Sequence, residues 1–170
     1  MIYLIENVFT NQERQKLIKY SQPLLLENLG EQYPGRQTWS DLHENPKFKS
    51  SISHILRVVY KTTGLNLVIT KSWVNWTNGK KKDVKWHRHP SQYSLVYYMK
   101  IPLPIFSNGT LFKNGLFKVP QNSMIVFPGS MEHSAPSSPF RFDRYSLAME
   151  LNYGLTFRIG TCYSSLYYLR

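Results

Sequence analysis

The chain has 170 residues and a mass of 20.0 kDa, room for one compact domain with a genuine core. Hydrophobic residues at 42% and aromatics at 15% exclude a disordered chain, and 9 glycines and 10 prolines without a period exclude a collagen-like one. A net charge of +11 favours polyanionic partners or an anionic small substrate, while a single cysteine, Cys162, excludes an internal disulfide and a cysteine-based zinc site.

In chain order, Met1-Ile-Tyr-Leu-Ile5 reads as a first strand, cut short by Glu6 before it can serve as a secretory segment. Thr10-Asn-Gln-Glu13 has capping-box spacing and predicts a helix over Gln12 to Tyr20, closed by Pro23. Gly30 to Pro46 is irregular, with Pro34-Gly35 as a turn. Asn45-Pro46 then has the form of an N-cap followed by proline at the first helical position. Phe48, Ile52, Ile55, Leu56, Val59 and Tyr60 follow at steps of three and four, and Gly64 is placed to end that helix.

From Leu65 the period changes. Short β-rich runs at Leu67–Thr77, Val84–His89, Ser94–Ile101, Thr110–Phe112, Leu116–Val119, Ser123–Phe127, Tyr145–Asn152 and Leu155–Gly160 alternate with turn signals. Those signals are Asn78-Gly79, Asn108-Gly109, Asn114-Gly115, Pro128-Gly129 and Tyr153-Gly154. Helices first and strands afterwards predict an α+β, mainly β chain whose sheet part is a sandwich or jelly roll. The expected organisation is a single domain over 1–170, with 1–64 as helical support and 65–160 as the jelly-roll core. No run approaches the ~20 apolar residues of a membrane helix. With one cysteine, a reducing, cytoplasmic setting is expected.

Five histidines are available for chemistry. His54 falls on the second predicted helix and reads as a half-buried surface histidine. His43, in Asp41-Leu-His43, reads as a local turn contact. His87-Arg-His89 differs, because residues i and i+2 of a strand project to one face. Two imidazoles held together there are either a metal chelate or an expensive burial of polar groups. His133, after a further strand and the Pro128-Gly129 turn, is positioned for a late strand to return beside them. Arg144-Tyr-Ser146 then places a guanidinium and a hydroxyl on one strand face, suited to gripping a carboxylate. Lys80-Lys-Lys82 reads as a solvated loop or as a steering patch for an acidic substrate.

The run Trp73-Val-Asn-Trp76, Gly79, Trp86-His87-Arg-His89-Pro90, Ser94-Leu-Val-Tyr-Tyr98, Val126-Phe-Pro128, His133 and Arg144-Tyr-Ser146 resembles the Fe(II)/2-oxoglutarate-dependent oxygenases. The likeness covers most of 65–152 and is nearest to the small prolyl-4-hydroxylase-like members of bacteria and marine phages. It implies a double-stranded β-helix, a jelly roll of cupin type. The implied reaction is oxidative decarboxylation of 2-oxoglutarate to succinate and CO2 by dioxygen, coupled to hydroxylation of a second substrate such as a peptidyl side chain.

The resemblance implies Fe(II) ligands at His87 and His133, with His89 in the middle position where such enzymes usually carry Asp or Glu. A neutral imidazole there withholds the negative charge that a carboxylate gives the metal. Either His89 ligates, making a three-histidine centre, or it points elsewhere and a water or nearby carboxylate completes the site. Glu132, Asp143 and Asp83 are poorly placed for that. Arg144 and Ser146 match the positions that hold the distal carboxylate of 2-oxoglutarate. Asn75 and Tyr97, or Tyr98, are candidates for a further hydrogen bond to it, and ascorbate is an expected auxiliary reductant. Two other readings stand beside this one: a three-histidine cupin-like metalloprotein that does not use 2-oxoglutarate, and a basic nucleic-acid-binding module without catalysis. The Arg-x-Ser motif argues against the first and the scattered basic residues against the second.

Overall fold

Local signals set both helices. The computed structural model describes residues 1–27, 35–78, 84–101, 108–136 and 142–154. After β1 (Tyr3–Ile5), the Thr10 hydroxyl accepts from the Glu13 amide while the Glu13 carboxylate accepts from the Thr10 amide, opening α1 (Asn11–Ser21) with a complete capping box. A 3-10 turn over Gln22–Leu24 holds Pro23 and ends the helix, and the short strands β2 (Leu26–Glu27) and β3 (Arg36–Gln37) follow. A second 3-10 turn, Leu42–Glu44, leads to α2 (Pro46–Thr63). There the Asn45 side chain accepts from the Lys47 amide at 3.0 Å, Pro46 needs no donor of its own, and Gly64 closes the helix at φ 73°. Phe48, Ile52, Ile55 and Val59 are the buried face, each contributing roughly 1.5–3 kcal/mol of apolar transfer. Leu56 packs at its border, and Tyr60 is turned outward.

The strands are β4 (Leu67–Asn78), β5 (Tyr93–Lys100), β6 (Gly109–Phe112), β7 (Gly115–Lys118), β8 (Ser123–Pro128), β9 (His133–Ser134) and β10 (Asp143–Tyr153). They form a seven-stranded sheet in the order β1-β8-β5-β10-β4-β3-β2 and a three-stranded sheet in the order β7-β6-β9. All named pairs are antiparallel. One face of the large sheet, with Val74, Leu95, Tyr97, Met99, Met124, Val126, Tyr145, Leu147 and Met149, packs on α1 and α2 to form the main core. A smaller core of Tyr98, Phe112, Val119, Ile125 and Phe127 joins the two sheets. This is the jelly-roll arrangement expected, with helices backing one sheet and the second sheet covering its other face.

One strand expectation changes, and three short strands are added. The segment expected as a strand over Val84–His89 makes only an isolated antiparallel bridge, His87 to His133, with single amide bonds from Val84 to Ala135 and from His89 to Gly129. Its pairing partner, β9, was not visible as a strand, and neither were β2 and β3. The expected strand Leu155–Gly160, Cys162, the Lys80–Lys82 run, Gly79, Asp83, Gly30 and Pro34 lie outside the described residues. No helix among the described residues is long and apolar enough to cross a membrane.

Candidate metal and cosubstrate site

The His87–His133 bridge is closed by two backbone bonds, 3.0 Å from His87 N–H to His133 O and 2.9 Å in return. It fixes these two side chains as neighbours, with ring centroids 4.4 Å apart. His89, two residues on, lies 5.1 Å from the His87 ring and 5.2 Å from that of His133. One nitrogen from each of the three imidazoles lies within 4.8 Å of the others. The structure thus brings together His87, His89 and His133, and leaves the other two histidines apart. His43 Nδ1 meets the Ser72 hydroxyl at 3.0 Å and His54 Nε2 meets the Val8 carbonyl at 2.9 Å.

Each clustered ring is oriented by its Nδ1. His87 Nδ1 lies 2.8 Å from the Lys85 carbonyl, His133 Nδ1 is 2.9 Å from the Met131 carbonyl, and His89 Nδ1 is 3.0 Å from a Glu150 carboxylate oxygen. Carbonyl and carboxylate oxygens only accept, so Nδ1 carries a hydrogen in all three rings and Nε2 is the nitrogen left for a metal. Burial pushes the His133 pKa down to about 4. Burial, with the neighbouring His87, also lowers that of His89 against the opposing pull of Glu150. Both imidazoles are therefore neutral at pH 7, the form in which histidine binds a metal. Three converging imidazoles fit a divalent first-row metal.

These rings border a cavity of about 600 Å³ between the sheets. Its floor is one face of β10: Arg144, Ser146, Ala148 and Glu150 all line it, as strand alternation requires. Arg144 is 6% exposed. Its Nη2 makes one long bond of 3.4 Å to the Gly109 carbonyl, its Cζ lies 5.6 Å from the centre of the Tyr98 ring, and its Nε has no partner among the described residues. A buried guanidinium with donors to spare fits an anionic ligand. Asn75 also lines the cavity, where its Oδ1 accepts from Gln37 Nε2 at 2.6 Å. Lys71 and Lys85 add positive charge at the wall, and Trp39, 63% exposed, stands at the mouth.

Tyr97 is not brought to this cavity. It points to the helix side of β5, where its hydroxyl donates to Asn122 Oδ1 at 2.8 Å and its ring packs edge-on against Phe9. Tyr98 faces the cavity side instead, hydroxyl to hydroxyl with Thr110 at 2.6 Å, its phenol pushed up to about 12 by burial. The opposite choice of tyrosine follows from a single step in strand phase. Glu132 pairs with Lys113 and Asp143 with Lys100, so neither enters the cluster. Glu150, absent from the sequence reading, is the carboxylate beside His89. The signal was present: it lies six positions along β10 from Arg144, on the same alternating face.

This fold is a double-stranded β-helix, and it is shared with several solved structures. The solved structures it resembles include the viral collagen prolyl hydroxylase of Paramecium bursaria Chlorella virus-1 in complex with 2-oxoglutarate, at 12% identity, TM-score 0.67, covering 88% of this chain and 94% of that one. A Pseudomonas putida prolyl-4-hydroxylase matches at 11% identity and TM-score 0.66 over 90% of this chain and 93% of its own. HygX of Streptomyces hygroscopicus, solved with nickel, 2-oxoglutarate and hygromycin B, matches at 11% identity and TM-score 0.66 over 88% and 82%. No protein-family model matches the sequence, and no curated protein matches it.

Proposed function

We propose that the protein is an Fe(II)- and 2-oxoglutarate-dependent dioxygenase that hydroxylates a second substrate, a peptidyl side chain being the class suggested by its prolyl-hydroxylase-like neighbours. The observation that carries this reading is one cavity holding both three converging imidazoles and a buried arginine whose Nε has no partner among the described residues. His87, His89 and His133 would hold the metal, with Nδ1–H bonds keeping each ring in the ligating tautomer. Arg144 would take the distal carboxylate of 2-oxoglutarate, with Ser146 beside it and Asn75 within the same wall. Fe(II) with 2-oxoglutarate supplies the oxidising chemistry when bound. The chain's own part is orientation and exclusion of water: the packed core of Tyr98, Phe112 and Phe127 backs the site, with Phe127 against the His133 ring at 4.9 Å and Tyr98 beside the Arg144 guanidinium. No side chain is required as a general base. The positive wall of Lys71, Lys85 and Arg144 favours entry of a dianionic keto acid.

Anaerobic addition of Fe(II) and 2-oxoglutarate to the metal-free protein is the test. The expected result is a weak visible charge-transfer band, followed in air by slow succinate release without a second substrate. No band and no succinate would overturn the oxygenase reading. Metal binding without keto-acid binding would return a cupin-like metalloprotein.

A further inference from the structure

Glu150 is buried at 6% exposure, inside a cavity that it shares with three imidazoles and Arg144. It is the one carboxylate among the described residues that line that cavity. Burying a carboxylate is expensive unless it is paired, and its cationic neighbour, Lys71, is half exposed with its Nζ 3.6 Å away. Its close partner is His89, at 3.0 Å. That contact is at Nδ1, on the side of the ring away from Nε2, so Glu150 stands behind His89 rather than competing for the position Nε2 faces.

The middle position of the usual His-x-Asp/Glu…His set is His89 in this chain, and it brings no charge of its own. We infer that Glu150 supplies the missing negative charge through His89, as a positioning and charge-donating residue for the metal centre. The inference rests on the metal-site reading above. An imidazole that donates its Nδ1–H to a carboxylate is a more basic Nε2 donor, and its hydrogen bond shares the anionic charge with the ring. The carboxylate of the usual triad is thereby moved back by one side chain. Strand register holds it there: Glu150 lies opposite Lys71 of β4 and Ser94 of β5, in the middle of a sheet paired on both sides.

The experiment uses the full chain with Co(II) as the metal, its affinity read by competition with a chelator, and long-range ¹H–¹⁵N NMR of the metal-free protein to read the His89 tautomer. Glu150→Gln keeps an acceptor oxygen and the side-chain shape but removes the charge. It is expected to retain the Nδ1–H tautomer and to lose about 10- to 100-fold in Co(II) affinity. Glu150→Ala is expected to lose the tautomer bias as well and to bind no better than Glu150→Gln. Placing the charge back at the metal, as His89→Asp in the Glu150→Gln background, is expected to recover the affinity. Equal Co(II) affinity for parent and Glu150→Gln would overturn the inference while leaving the metal site standing. A parent protein that does not bind Co(II) would overturn both.

Discussion

The two faces of β10 are equally buried and opposite in chemistry. On the helix side, Tyr145, Leu147, Met149 and Leu151 are 5% exposed or less and belong to the main core. On the cavity side, Arg144, Ser146 and Glu150 are 6% exposed or less and line a space large enough for a small molecule. The same backbone, pinned between β4 and β5, serves both. Burial of the first face lowers the free energy of the fold. Burial of the second face raises it; His89 beside Glu150 and the Gly109 carbonyl beside Arg144 offset part of that cost, and a bound anion would offset more. The comparison predicts that substitutions on one face are read in stability and those on the other in ligand binding.

The largest effect is expected at Arg144. Arg144→Ala should weaken 2-oxoglutarate by about 2–5 kcal/mol while metal affinity stays near that of the parent, and Arg144→Lys should recover only part, since an ammonium lacks the planar fork. Isothermal titration with the metal in place measures this, and unchanged affinity in Arg144→Ala would move the carboxylate to another cation such as Lys85. Across the strand, Leu147→Ala should cost about 2–5 kcal/mol of unfolding free energy in urea. If instead it altered keto-acid affinity without altering stability, the two faces would not be separable.

The smallest effect lies at the strand's first residue. Burial alone would raise the Asp143 carboxyl, but donors from Lys100, Asn78 and Trp76 outweigh it and hold it below the usual carboxylate range. A carboxyl depressed in the folded state stabilises fully above its unfolded pKa, and that contribution is lost as pH falls through the lower, folded value. Asp143→Asn should therefore flatten the acid limb of the stability curve by about 0.2–1 kcal/mol and leave neutral-pH ligand binding alone. Thermal melts between pH 7 and pH 3 would show it, and parallel acid limbs would mean the three donors contribute nothing.

The parts legible in the sequence are those written over a few residues. Thr10 with Glu13, Asn45 with Pro46, and Gly64 mark helix ends because caps are local bonds. His87 and His89 share a side because alternation is local too. The segment between Val84 and His89 has the residue pattern of a strand but makes a single bridge, and that bridge depends on His133, far along the chain. The choice between Tyr97 and Tyr98 is open in the sequence for another reason. On β5 both faces are covered, Leu95, Tyr97 and Met99 by helices and Tyr98 by the second sheet, so both are apolar and hydrophobicity does not mark which faces the cavity. Glu150 was missed because a lone carboxylate near the end of a strand looks like a solvent-facing one until the opposite wall is known.

Strand β1 has a bearing on how this molecule behaves in company. It spans three residues, Tyr3 to Ile5, paired with Val126 to Met124 at the flank of the large sheet. Just beyond it the chain is fastened by Asn122, whose side chain accepts from the Phe9 amide at 3.1 Å and donates to the Phe9 carbonyl at 2.7 Å. Beneath lies Ser-Met-Ile-Val-Phe-Pro, an uncharged β-prone run whose outer row of amides and carbonyls would otherwise stand open. An open row of that kind is a template for a strand from another molecule. The first residues of this chain thus act as a sheath, keeping a sticky border occupied by its own chain rather than by a neighbour's.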